Sequence, residues 1–180
     1  GEFDDMNISA ERPFHIRGLN MPNYRDSLYS AKTRTTSRLR SMFETIKLYK
    51  NEDDMNHIYI SDNISGIYDY YIKKGKRLSY SFDDNFFGVN QKNNKLLSKG
   101  LSNIDADSES VDLVIHNELL HFSSDYTAAL KEMYRILKKD GIALLSIPFL
   151  INSKSNIVRA RIDEEGDLEH LDTPVYYNNN

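Results

Sequence analysis

Residues 111–149 read VDLVIHNELLHFSSDYTAALKEMYRILKKDGIALLSIPF, and this stretch decides the fold. It opens with an apolar run typical of a buried strand, VDLVIHN, and closes with a second, IALLSIPF, that Pro148 stops. Between them the pattern predicts a short helical turn, NELLHF, and a helix over 123–139. The predicted apolar face of this helix consists of Leu130, Met133, Tyr134 and Leu137. Strand, helix and strand in this order indicate parallel strands joined by a right-handed crossover.

The sequence carries signals for the start and the end of this helix. Ser123 or Ser124 is predicted to cap its start, where Asp125 complements the positive end of the helix dipole. Two lysines at 138–139 complement the negative end, and the Asp-Gly pair at 140–141 turns the chain into the last strand.

Upstream of this stretch the same alternation continues. An amphipathic helix is predicted over 36–49. Its apolar face consists of Leu39, Met42, Phe43 and Ile46. A strand at 58–60 then enters a helix that Gly75 closes, and a second strand follows at 78–82. A further short strand is predicted near Leu101. The expected fold is therefore a three-layer αβα, Rossmann-like sandwich with a mainly parallel sheet.

Length and composition indicate one soluble domain. The chain has 180 residues with 39% hydrophobic content, and twelve Tyr and eight Phe add large apolar area. No apolar run approaches the roughly 20 residues that span a bilayer, and the N-terminus lacks the hydrophobic core of a signal peptide. The absence of cysteine excludes disulfides and thiolate metal sites. We therefore expect a cytoplasmic protein.

Three segments are predicted along the chain. Residues 1–35 form an irregular N-terminal arm, in which 1–3 resemble a cloning remnant. The α/β domain covers 36–150. A polar extension follows over 151–180, and its final asparagines are expected to be disordered.

The charge distribution raises nucleic-acid binding as an alternative. The net charge is −4, yet residues 25–50 are locally basic. Their cations are Arg25, Lys32, Arg34, Arg38, Arg40, Lys47 and Lys50. Tyr24, Tyr29 and Phe43 are available for stacking on bases. The net negative charge and the place of Phe43 on an apolar helix face argue against this alternative, so a nucleic-acid partner is not expected.

Familiar short motifs are missing. No two of the eight glycines are separated by one residue, so neither a dinucleotide fingerprint nor a P-loop can be written. In HNELLH, His116 and His121 are five residues apart and do not share a helix face, which disfavours zinc. The acidic run at 105–112 lacks the glycine and the glutamate of a calcium loop. No metal site is expected.

A larger pattern carries a resemblance. An acidic loop, a strand starting at Asp112, a Leu-containing turn, a helix, and an apolar strand ending in Pro follow one another over 104–148. The matching positions are Asp112, Leu130, Glu132, Arg135, Leu137, Lys138, Gly141 and Pro148. This pattern resembles the second half of class I S-adenosylmethionine-dependent methyltransferases. Segments 23–40 and 158–177 resemble those flanking the fold in a bacterial, methyltransferase type 11-like subgroup.

The resemblance implies a cofactor, S-adenosylmethionine, and a set of residues that bind it. By position, Ser61, Asp62 and Asn63 approach the methionine moiety, and Asp83 or Asp84 holds the ribose hydroxyls. The full set of cofactor-binding positions is Ser61, Asp62, Asn63, Asp83, Asn103, Ile104, His116 and Asn117. Of these, Asn103 and Ile104 belong to the loop that receives the adenine. The catalytic residues stay unknown, with His116 or His121 as an optional base.

Departures from the family pattern keep alternatives open. Gly100 stands where the family often has an acidic residue, and Phe122 stands where it usually has a histidine. The first turn is degenerate because it lacks the usual glycines. The family's last two strands have no counterpart before residue 180, which predicts a five-stranded sheet with an exposed edge and oligomerisation through it. Two functions fit: a methyltransferase of unknown acceptor, or a catalytically inactive binding or scaffold domain or fragment. The alternative for Asp62 or Asn63 is an ordinary helix cap that makes no cofactor contact.

Overall fold

A computed structural model gives the three-dimensional arrangement of much of the chain. It describes residues 6–8, 13–16, 19–22, 28–30, 35–61, 65–80, 89–90, 95–96, 101–123, 125–149 and 152–174. Three predicted cofactor-binding positions, Asp62, Asn63 and Asp83, lie outside the described residues.

The described residues form three helices, two 3₁₀ turns and thirteen short or medium strands. The helices are α1 (Ser37–Tyr49), α2 (Ser65–Lys73) and α3 (Tyr126–Ile136). The 3₁₀ turns cover Glu52–Asp54 and Leu120–Phe122. The strands are β1 (Met6–Ile8), β2 (Pro13–Ile16), β3 (Leu19–Pro22), β4 (Leu28–Ser30), β5 (Thr35–Thr36), β6 (His57–Ile60), β7 (Arg77–Tyr80), β8 (Val89–Asn90), β9 (Lys95–Leu96), β10 (Val111–Asn117), β11 (Leu137–Ser146), β12 (Ala160–Ile162) and β13 (Leu168–His170).

A four-stranded parallel sheet is the centre of the fold. Its strand order is β11-β10-β6-β7, and every neighbouring pair is parallel. β6 connects to β7 through α2, whereas β10 connects to β11 through α3. Since the chain moves outward in opposite directions from the two central strands, β6 and β10, the strand order reverses between them.

Helices cover both faces of this sheet. On one face α1 and α2 bury apolar side chains against alternate residues of the two central strands, including Ile58, Ile60 and Ile115. On the other face α3 packs on Tyr59 and Val114. Because β10 is buried at all seven positions, its central residues Leu113, Val114 and Ile115 are all apolar instead of alternating with polar ones. The predicted three-layer, Rossmann-like αβα architecture is confirmed.

The helix predicted over 36–49 is confirmed with the predicted face. Leu39, Met42, Phe43 and Ile46 are all buried in one core cluster. Thr36 caps α1, since its side-chain oxygen accepts a hydrogen bond from the backbone N–H of Leu39 at 3.5 Å.

The predictions for α3 need correction in three respects. Asp125, not Ser123 or Ser124, is the N-cap, and its carboxylate accepts from the N–H of Ala128 at 2.8 Å. The helix ends at Ile136, because the next residue already belongs to β11 and pairs with β10. The predicted apolar face was correct only in part, since Met133 is buried and Leu137 packs against the same cluster. Leu130 and Tyr134 are exposed, and the buried side chains are Ala129, Met133 and Ile136.

The predicted strand near Leu101 is also wrong. Leu101 lies in a turn, where its side chain is buried against the α3 face of the sheet. The apolar signal was real, but it marked a core contact made by a loop rather than a strand. The central sheet of the described residues therefore has four strands rather than the expected five.

Short antiparallel strands lie outside the central sheet. β1, β4 and β5 form a three-stranded unit, and β2-β3, β8-β9 and β12-β13 are two-stranded. The N-terminal strands fall in the segment that the sequence indicated to be irregular. β11 borders only β10 among the described residues, so the proposed oligomerisation through a sheet edge stays a prediction. Over the same residues, no helix has both the length and the apolarity to cross a bilayer.

The Asp112 carboxylate ties the amino ends of the two central strands together. It accepts hydrogen bonds from the backbone N–H groups of Asn56 and His57, at 2.9 and 3.0 Å, and from the Lys138 ammonium at 2.8 Å. Burial opposes ionisation of this carboxyl group. The bonds from Lys138, His57 and Asn56 outweigh it and hold the pKa of Asp112 below its ordinary value.

We expect Asp112→Ala to lower the free energy of unfolding by about 2 to 3 kcal/mol, because two partly buried N–H groups and one ammonium lose their acceptor. Since the folded-state pKa is lowered, the stabilisation is present above the ordinary carboxyl pKa and shrinks as pH falls through the folded value. Urea denaturation at neutral and acidic pH measures both effects. Asp172→Ala is the control, because Asp172 and its partner Arg159 are exposed. Equal losses in the two variants would contradict this role of Asp112.

Candidate functional site at the carboxyl end of the sheet

The carboxyl ends of the four parallel strands meet at one edge of the sheet. In the register of the sheet, Ile60 lies beside Ile115, and Asn117 lies beside Ser146. Ser61, the residue after β6, donates its backbone N–H to the carbonyl of Ile115 at 3.0 Å. In open α/β sheets ligands bind outside this edge, in the crevice where the strand order reverses. In this chain that crevice lies between β6 and β10.

A buried hydrogen bond spans the crevice. The Ser61 Oγ and the His116 Nδ1 are 2.7 Å apart, and both side chains are fully buried. The other ring nitrogen, Nε2, has no hydrogen-bond partner among the described residues. Either the serine hydroxyl donates to Nδ1 and leaves Nε2 as a donor, or the tautomer is reversed and Nε2 is an acceptor. In both cases one buried polar atom has unused hydrogen-bonding capacity among the described residues.

His116 is a neutral group at physiological pH. Burial of the ring, and next the nearby charge of His121, lower the pKa of His116 to about 4. A neutral imidazole hydrogen-bonds without adding a charge to the crevice. It is also a weak proton acceptor at pH 7, because its pKa lies about three units below the working pH.

A second set of polar contacts lies on the α1 side of the same edge. Arg38 Nη1 donates to Asn117 Oδ1 at 2.9 Å and lies 2.9 Å from Glu118 Oε2. The Ser146 hydroxyl donates to the same Asn117 oxygen at 3.0 Å. The backbone N–H of Glu118 donates to the Ser146 carbonyl at 2.8 Å. We call Arg38, Ser61, His116, Asn117, Glu118 and Ser146 the carboxyl-edge cluster.

The backbone at Glu118 is strained. Its φ is 52°, in the left-handed region that costs a residue with a side chain about 1 to 2 kcal/mol. Such a conformation persists only where neighbouring contacts hold it. At Glu118 these contacts are the carbonyl of Ser146 and the guanidinium of Arg38. The chain therefore leaves β10 in a fixed direction, directly beside the crevice.

The structure brings together three of the described positions that the sequence singled out, Ser61, His116 and Asn117. Asn103 is exposed in a turn. Ile104 lies near the opposite edge: it lines a cavity of about 330 Å³ beside His57 and Arg77, the first residues of β6 and β7. Its own backbone N–H donates to Glu132 at 3.0 Å. His121, the other candidate base, is exposed as a residue. Part of its ring is nevertheless shielded from water, and this desolvation lowers its pKa.

Sequence reasoning missed Arg38, Glu118 and Ser146. Arg38 was counted only as one of the cations of the basic segment 25–50. Its contact with Asn117 joins residues 79 positions apart, and no local period reports such a pair. Glu118 gave no signal either, because a positive φ is common for glycine and asparagine but not for glutamate.

Comparison with known proteins identifies a domain in part of the chain. Residues 80–145 match the family model described as "Methyltransferase domain". This segment runs from the end of β7 through β10 and α3 into β11, inside the predicted domain 36–150. Residues 80–145 are thus similar to a methyltransferase domain, and the resemblance to S-adenosylmethionine-dependent methyltransferases seen in the sequence is confirmed over this segment. A comparison with curated proteins finds no match.

Solved structures with a similar arrangement are distant. A SAM-dependent methyltransferase from Thermotoga maritima is 19% identical over 59% of this chain and 49% of that chain, with a TM-score of 0.37. A SAM-dependent methyltransferase from Aquifex aeolicus is 20% identical over 58% of this chain and 63% of that chain, with a TM-score of 0.38. This chain thus spans less than two thirds of each.

S-adenosylmethionine is the cofactor that this domain implies, and the carboxyl-edge cluster can be tested for its fit. The cofactor has polar amino-acid and ribose groups. At the point where the strand order reverses, His116 offers a buried polar atom that lacks a protein partner among the described residues. Asn117 and Ser61 add uncharged polar groups. A neutral, partly unsatisfied set of donors and acceptors fits a polar organic ligand.

Proposed function

We propose that this chain is an S-adenosylmethionine-dependent methyltransferase that binds its cofactor in the crevice between β6 and β10. The observation that carries the proposal is the 2.7 Å contact between Ser61 and His116, which spans the crevice and leaves Nε2 of His116 without a described partner. The match of residues 80–145 to the methyltransferase domain supports the choice of cofactor. The acceptor is an unidentified substrate.

Residues around the crevice take separate roles in this proposal. His116 and Asn117 bind polar groups of the cofactor, and Ser61 fixes the orientation of the His116 ring through their hydrogen bond. Asp62 and Asn63 come after β6 in the sequence and Asp83 comes after β7, and all three are proposed from the resemblance to contact the methionine and ribose moieties. Asn103 and Ile104, which the resemblance assigns to the adenine, are given no cofactor contact in this proposal, because Ile104 lines the cavity beside the other edge of the sheet and Asn103 is its neighbour in the chain.

The protein's main contribution to methyl transfer is alignment. Bound S-adenosylmethionine supplies an electrophilic methyl group on a sulfonium centre. The chain holds it and the acceptor in line and excludes water, which is a large share of the acceleration in two-substrate reactions. His116 binds the cofactor and does not act as a base, because its pKa is low. If an acceptor must lose a proton, His121 is the better candidate because it is exposed.

The contacts of the basic segment support a substrate other than nucleic acid. Each described cation of residues 35–50 contacts a protein group. Arg38 contacts Asn117 and Glu118, Arg40 donates to the Thr35 carbonyl, Lys47 pairs with Glu44, and Lys50 donates to the Asp140 carbonyl. Arginine and lysine engaged in such contacts are less available to neutralise the phosphates of a nucleic acid. The contacts of these four cations therefore disfavour a nucleic-acid-binding surface over residues 35–50.

Calorimetric titration of the full chain with S-adenosylhomocysteine, the product of the cofactor, tests the proposal. We expect saturable binding with one site per chain, and the same site should accept S-adenosylmethionine in competition. ATP serves as the control, since it shares the adenosine but not the amino-acid end. An absence of binding at millimolar ligand would overturn the proposed function.

A further inference from the structure

Arg38 links the N-terminal helix to the crevice. It lies in the first turn of α1, and its Nη1 contacts both the Asn117 amide oxygen and the Glu118 carboxylate at 2.9 Å. The side chains of Arg38 and Glu118 are only 22% and 21% exposed. A pair so shielded from water interacts more strongly than one at the surface, and it holds both partners in one geometry.

A second glutamate with the same backbone strain shows what is special at this edge. Glu109 has a φ of 54°, close to the 52° of Glu118. Its N–H donates to the Arg135 carbonyl at 2.9 Å, but its side chain is exposed and makes no ion pair within the described residues. The strained backbone is therefore common to both positions, whereas the ion pair belongs only to the position beside the crevice.

We propose that Arg38 is a positioning residue for the cofactor site. By holding Asn117 and Glu118, it sets the direction in which the chain leaves β10 and thereby fixes the crevice wall that the cofactor contacts. It does so from α1, outside the segment 80–145 that matches the methyltransferase domain. This inference rests on the proposed function, because its readout is cofactor affinity.

The test compares S-adenosylhomocysteine affinity and thermal stability in matched variants of the full chain. Arg38→Met is expected to weaken binding about tenfold or more, since it removes charge-assisted contacts to two residues of the crevice wall. Arg38→Lys should restore most of the affinity, because a single nitrogen makes both contacts. Simple loss of packing would not be rescued by lysine. Lys47→Met is the control on α1, as its ion pair with Glu44 is exposed.

Two glycine variants separate positioning from stability. Glu118→Gly removes the ion pair while relieving the backbone strain, so we expect weaker binding without loss of thermal stability. Glu109→Gly relieves the same strain at a distant turn and should raise stability without changing binding. If Arg38→Met loses its fold, Arg38→Lys and Glu118→Gly still decide the question.

The outcomes distinguish this inference from the function on which it rests. If the unaltered chain does not bind S-adenosylhomocysteine, the proposed function fails. If it binds, and Arg38→Met and Glu118→Gly bind equally well, only the positioning role of Arg38 is overturned. Weakened binding in both variants, with rescue by Arg38→Lys, supports it.

Discussion

Replacing Ser61 with alanine and His116 with leucine together should leave the chain folded and weaken S-adenosylhomocysteine binding at least about tenfold. Removing both partners of a buried hydrogen bond is nearly neutral for stability when apolar groups of similar size replace them. The exchange also removes the Nε2 atom, which is buried without a described partner. Binding falls because this atom is the one that we propose meets the ligand.

The pH dependence of stability gives the same pair a second readout. The pKa of His116 falls from an ordinary value of 6.5 to about 4, so the unfolded chain holds the proton more tightly than the folded chain. The free energy of unfolding therefore falls by about 3 kcal/mol as the pH falls from 6.5 towards 4. The paired variant lacks this loss. Urea denaturation across that range should show a shallower decline for the variant than for the unaltered chain.

The single variant His116→Leu is the matched control. It leaves the Ser61 hydroxyl buried without its partner, so it should be less stable than the paired variant by about 1 to 2 kcal/mol. Identical pH profiles for the unaltered chain and the paired variant, or unchanged ligand affinity, would contradict the assigned role of His116.

Gly141→Ala adds a single methyl group to β11 and should destabilise the protein strongly. A Cβ at this position would lie 2.8 Å from Leu137 Cδ2 and 3.0 Å from the carbonyl oxygens of Lys138 and Val111. Two of these atoms are backbone and cannot move aside without disturbing the pairing of β10 with β11. We expect a loss of about 3 kcal/mol in the free energy of unfolding, measured by urea denaturation.

Gly75→Ala is the control for that effect. Gly75 has a φ of 70°, but no atom lies within 4 Å of an added Cβ. Alanine there adds backbone strain alone, at about 1 kcal/mol. A larger loss in the free energy of unfolding for Gly75→Ala than for Gly141→Ala would contradict the expectation that crowding around Gly141 excludes a side chain there.

Local sequence patterns predicted the elements whose packing follows a simple period. The face of α1 was correct because its four apolar residues recur with the helical repeat and all of them meet the sheet. The face of α3 was correct for Met133 but wrong for Leu130 and Tyr134, which are apolar yet exposed, whereas the smaller Ala129 is buried. Hydrophobic character alone does not tell which side of a helix is covered.

The cofactor site was predictable in part for a similar reason. Ser61 follows β6, and His116 and Asn117 are the last residues of β10; the sequence shows both strands directly, and parallel strands bring their ends together. Arg38 and Ser146 join the site through contacts across the fold, at separations of 79 and 29 residues from Asn117. Those contacts depend on how α1 and β11 are placed, which no short pattern encodes.

Diffraction from crystals of the full chain grown with S-adenosylhomocysteine tests the central claim most directly. We predict ligand density in the crevice between β6 and β10, with a polar atom of the ligand within hydrogen-bonding distance of His116 Nε2. Density for the ligand at another place in the fold, or an empty crevice at saturating ligand, would contradict the account.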